Sequence, residues 1–153
     1  MKRVDIFEKA DDFASTLKEA VNHEIEVTST IPKMESMVRE ESLKDRLSKY
    51  KNKANIQLQR LEEICDVYDI PLFGRSSIEV ETLLNQLEDI TENGNRIKVS
   101  ERDVLETARE MEIKENITLT NALKLAEKLG YNEAAEILRV SVSAPKFFYN
   151  STN

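Results

Sequence analysis

Three glutamates stand where a helical pattern calls for apolar side chains. On one line of residues spaced by four and three, Leu17 and Val21 are followed by Glu24, then Thr28 and Ile31. A second line runs Leu105, Ala108, Glu112, Glu115, Leu119, Ala122, Ala126 and Leu129, which aims two more carboxylates inward one turn apart. Such steps keep residues on one face of a 3.6-residue helix. A carboxylate on a buried face is costly unless it is paired, protonated or bound to a metal. Glu24, Glu112 and Glu115 are therefore the candidate site. Either they reach solvent or neighbouring Lys and Arg at the stripe edge, or they form a polar centre inside a bundle.

Other reactive side chains offer less. His23 is the only histidine, and it lies about 100° round the helix from Glu24, so it reads as a surface or edge residue. Without a second histidine, triad chemistry has no support. Cys65, the only cysteine, falls on an apolar stripe and reads as core; alone it makes neither an internal disulfide nor a zinc cluster. The three glycines, Gly74, Gly94 and Gly130, each read as a helix stop, which leaves no phosphate-cradling loop.

The elements that must position the glutamates follow from composition and capping. With 33% charged residues, three Gly, three Pro and no Trp, the composition favours long charged helices and an all-α fold. The 153 residues, 40% of them apolar, suit one domain spanning 1–153. Ser-x-x-acid boxes at Ser42 with Asp45, Ser76 with Glu79 and Ser100 with Asp103 mark helix starts, and Asn132 follows the helix-ending Gly130. The expected helices run from about 4 to 38, 42 to 69, 77 to 92 (a short one), 100 to 129 and 132 to 147. On the second, Leu43, Leu47, Tyr50, Ala54, Leu58, Leu61, Cys65 and Tyr68 form one stripe. Pro32 removes an amide within the first and should distort it near Thr28 to Pro32. The expectation is an antiparallel four-helix bundle with an additional short helix.

Charge and hydropathy narrow the partners. Twenty-nine acids against 22 bases give −7, which disfavours nucleic-acid binding. No apolar run approaches a membrane span, and the N-terminus lacks the apolar core of a signal peptide, so no membrane association and a cytoplasmic location are expected. The aromatics Phe147, Phe148 and Tyr149 should cover the end of the bundle or meet another subunit, which makes a homodimer the expected assembly.

Three motifs in order carry a resemblance: Ile31-Pro32-Lys33-Met34, the Gln-x-x-Arg-Leu-Glu run from Gln57 to Glu62, and the Leu-Ala-Glu-x-Leu-Gly run from Leu125 to Gly130. Over residues 20 to 146 the chain resembles the YciE/YciF group of ferritin-like proteins. The resemblance implies a ferritin-like four-helix bundle, a carboxylate and histidine di-metal site, and a link to bacterial stress responses. Carried onto this chain, the metal-ligating glutamates fall on Glu24, Glu112 and Glu115, the outer two of the helical element Glu112-Ile113-Lys114-Glu115 matching a Glu-His-Tyr-Glu pattern. The remaining ligand positions hold Tyr50 and Lys53 on the second helix, and Arg139, Val140, Ser143, Ala144 and Pro145 near the end. A di-metal bundle uses four glutamates and two histidines. The chain keeps about half of that shell, and the expectation is a vestigial, metal-free site in which Lys53 or Arg139 neutralises the glutamates, with no cofactor and no catalysis. The alternative is an iron or other divalent-metal carboxylate protein, of ferroxidase or oxidoreductase type, with a reduced ligand set.

Overall fold

The computed structural model describes residues 3–72 and 100–149. Among them are four helices: α1 (Arg3–Met37), α2 (Glu41–Val67), α3 (Glu101–Leu129) and α4 (Asn132–Val142). No strand occurs among the described residues. The expected short helix at 77 to 92, its Ser76 cap and the breakers Gly74 and Gly94 lie outside them.

Helix directions follow from contacts at the two ends. At one end the Glu101 carboxylate, in the first turn of α3, accepts the amides of Arg39 and Glu40 in the turn between α1 and α2. At the other end Tyr131 stacks on Tyr68 at 4.6 Å, and Phe13 meets both rings edge-on. Since α1 runs from the aromatic end and α2 runs back to it, α3 is parallel to α2, and α4 returns alongside both. The main packing pairs α1 with α2 and α3, and α4 with α3 and α2, and each of these pairs is antiparallel. This is an all-α, up-down-down-up bundle.

Local chemistry sets the boundaries. Ser100 Oγ accepts the Asp103 amide at 3.1 Å while Asp103 Oδ2 accepts the Ser100 amide, the reciprocal box expected from the sequence. Gly130 closes α3 at φ +71°, a left-handed conformation that costs a side-chain-bearing residue more. Ser42, by contrast, does not cap α2: the helix starts one residue earlier, and the hydroxyl donates to the Glu40 side chain. At the start of α4 the orphan amide of Ala134 is met by the Tyr68 hydroxyl, reaching across from the end of α2. α1 continues as a helix through Pro32.

The last helix departs from expectation. It stops at Val142 after 11 residues instead of running to about 147. Pro145 has no amide to offer and disfavours helical geometry at Ala144, so the chain leaves the helix as a strap. The core is correspondingly divided. Near the aromatic end, Leu17, Leu61, Leu119, Ala135 and Leu138 pack from all four helices. Toward the opposite end α4 is gone, and Phe148 of the strap packs with Ile31, Leu47, Tyr50 and Ala108 in its place.

Candidate functional site

Midway along the bundle the inward lines of α1, α2 and α3 meet, and the three sequence-marked glutamates are all buried there: Glu24 is 1% exposed, Glu112 0% and Glu115 3%. The cation among them is Lys53 of α2. Its Nζ donates to Glu112 Oε2 at 2.9 Å and to the Pro145 carbonyl at 3.0 Å, and stands 3.3 Å from Glu115 Oε1. An ammonium has three N–H donors, and here each has an oxygen. The rings of Tyr50 and Phe147 flank the same nitrogen, at 5.2 and 5.6 Å.

Glu112 is the most heavily bonded member. Besides Lys53 it accepts three consecutive backbone amides of the strap, Phe147 at 2.9 Å, Phe148 at 2.7 Å and Tyr149 at 2.6 Å. Burial alone would raise its pKa, but the amides of Phe147 and Tyr149 and the Lys53 ammonium outweigh it and hold the carboxyl below its ordinary value. Nothing in the periodicity announces these bonds, which join a helix side chain to backbone 35 to 37 residues away.

Glu24 is in the opposite state. Neither of its oxygens, nor Oε2 of Glu115, has a hydrogen-bond donor among the described residues. Burial first, then the neighbouring Glu115 carboxyl and its charge, push Glu24 well above the usual carboxylate range, against the opposing pull of Lys53. A proton on Glu24 resolves the conflict, because it turns an acceptor-only group into a donor toward Glu115. Tyr50, whose hydroxyl is also buried without a partner, has its phenol pKa driven far up by burial and by the charges of Glu115, Glu24 and Glu112, and stays neutral.

Several sequence expectations are corrected here. His23 is not a surface or edge residue: it is 3% exposed, and Nε2 lies 2.7 Å from the Met111 carbonyl of α3. The buried face of α1 runs Ala20, Glu24, Val27, Ile31 and Met34. Val27 rather than Thr28 continues it, a rotation by one residue that carries His23 inward. The apolar residues three before and four after His23 are the signal that could have revealed this. Arg139 does not neutralise the glutamates; it bonds Glu127 at 3.2 Å on the exposed side of α4. Among the described residues Lys53 is the cation that bonds them. Gln57, missing from the apolar reading of α2, is buried and donates to the Ser141 carbonyl at 3.1 Å. Cys65 is core, as its stripe position suggested. The aromatic tail is folded within the chain, Phe148 lying 5.7 Å from the Tyr50 ring with the Arg46 guanidinium 4.6 Å from its own centroid.

Fold and site define an all-α bundle with a buried carboxylate and lysine centre. The chain belongs to the family described as Domain of unknown function (DUF892), whose profile matches residues 8–145. Comparison with curated proteins and with solved structures found no match. No helix among the described residues is long and apolar enough to cross a membrane.

Proposed function

We propose that this chain is a ferritin-like bundle of the YciE/YciF type in which an internal lysine has taken over the cation position of a di-metal site, and that it serves as a non-catalytic, stress-associated protein. The up-down-down-up course of the four described helices supports the ferritin-like reading. The observation that carries the reading is the ammonium of Lys53, set among Glu112, Glu115 and the Pro145 carbonyl. A lysine there brings its own positive charge, so the carboxylates need no exogenous ion.

The donor set does not fit a pair of metal ions. Both oxygens of Glu112 are engaged by Lys53 and the strap amides, and His23 Nε2 is engaged by Met111. Among the described residues no three His, Cys, Asp or Glu side chains stand together as a ligand group. The competing reading, a reduced ferroxidase or oxidoreductase site, is favoured by one observation, the donor-free oxygens of Glu24 and Glu115. Those two carboxylates would have to hold iron beside a fixed ammonium. Anaerobic incubation with Fe(II) followed by desalting separates the readings. The lysine-substituted bundle retains well under one iron per chain and oxidises none faster than buffer; stoichiometric iron with rapid oxidation establishes the metal site instead.

A further inference from the structure

The geometry points to the segment Pro145–Tyr149 as a releasable strap, seated on Glu112 and Arg46, whose opening is the route by which the Lys53 cluster meets solvent. This does not depend on the ferritin-like reading. The segment has no helix or ladder of its own, and its backbone is anchored by side chains of two other helices. Three successive amides share the Glu112 carboxylate, and the Phe147 carbonyl accepts both Nε and Nη2 of Arg46, the closer at 2.6 Å. Bonds that converge on one carboxylate and one guanidinium are made and lost together. One side chain alone, Phe148, is buried; Phe147 and Tyr149 are half-buried and Pro145 is exposed.

The strap also lies over the cluster. Pro145 supplies one of the three oxygens around Lys53 Nζ, and the Phe147 ring flanks that nitrogen. The strap leaves α4 at Ala144, and the Lys146 ammonium donates back to the Val142 and Ala144 carbonyls beside that point. From Pro145 to Tyr149 the backbone is held by Glu112 of α3 and by Arg46 and Lys53 of α2, so opening exposes one ring and two half-buried ones while the helices stay packed. Sub-global openings of this kind draw on segments with few buried contacts. With the strap lifted, Glu112 loses its amides, and Lys53 and Glu115 face water.

Two measurements on the full chain test this. In native-state hydrogen exchange the amides of Phe147, Phe148 and Tyr149 should exchange through a denaturant-insensitive opening, at least about tenfold faster than those of Leu119 and Ala122 in α3. Exchange of the strap only by global unfolding would overturn the proposal. Limited acylation with acetic anhydride, read by peptide mass spectrometry, then follows Lys53. Arg46→Ala should raise its modification at least about tenfold with the helical circular dichroism unchanged, and a chain ending at Ala144 should do the same. Protection of Lys53 undiminished in folded Arg46→Ala would show that the helices, not the strap, cover it. That variant leaves Glu112 and Lys53 intact, so the test stands even where the truncated chain fails to fold.

Discussion

The Lys53 ammonium stands 2.9 Å from Glu112 Oε2, with 7% of the lysine side chain exposed and none of the glutamate. Removing one partner of such a pair leaves an uncompensated charge in the interior, which typically costs about 3–5 kcal/mol. Lys53→Met should therefore lower stability by that order in urea unfolding, although the substitute is more apolar. Lys53→Met combined with Glu112→Gln should recover part of the loss, because the stranded charge goes with it. A Lys53→Met protein as stable as the parent would mean that removing the ammonium strands no charge on Glu112 in the fold.

Glu24 and Glu112 give pH dependences of opposite sign. Glu112 is held below its ordinary value of 4.5, so its contribution is present above that value and fades as pH falls toward the folded-state pKa. Glu24 is raised above 4.5, so across the interval between that value and its folded pKa the unfolded chain gives up a proton that the native state keeps, and stability declines as pH rises. Urea midpoints measured from about pH 2 to about pH 8 should show both limbs. Glu24→Gln should flatten the declining limb and leave the acid one. An unchanged slope in that variant would place the titration elsewhere.

Cys65 has its thiol pushed from 9.0 to about 11 by burial, with the nearby charges of Asp66 and Glu62 adding to it. Two pH units in pKa lower the thiolate fraction near neutrality roughly a hundredfold. A disulfide exchange reagent should accordingly label Cys65 in native protein only as fast as the bundle opens, while the urea-unfolded chain reacts at once. Prompt native-state labelling would put the thiol at the surface.

How far the sequence could be read depended on whether the interaction was local. The Ser100 and Asp103 box, the Gly130 stop and the stripe through Leu47, Ala54 and Leu61 are written in residues a few positions apart, and the structure contains all of them. Glu112 and Glu115 were visible for the same reason, as charged interruptions of a regular apolar line. His23 was missed because a one-residue rotation of α1 decides its side, and spacing alone leaves that rotation free. The strap escaped because three backbone amides binding a distant carboxylate have no sequence pattern. Lys53 and Arg139 looked equivalent as cations; only the turn of α4 that sends Arg139 toward Glu127 separates them.

At the start of α3, Ser100→Ala removes the side-chain half of the capping box and should cost about 1 kcal/mol. Ser100→Gly should cost only a few tenths of that amount, since glycine is itself tolerated at this position. A Ser100→Ala protein as stable as the parent in urea unfolding would indicate that the box contributes nothing.

The claim that Lys53 replaces an exogenous cation is met most directly by a pair of thermal melts, one in chelator and one in excess Mn(II). An ion bound to the native state raises the melting temperature in proportion to the logarithm of its concentration over its dissociation constant. The lysine-neutralised bundle should melt at the same temperature in both. A midpoint that climbs with Mn(II), and stops doing so in Glu115→Ala, would contradict the account and assign the buried carboxylates to a metal.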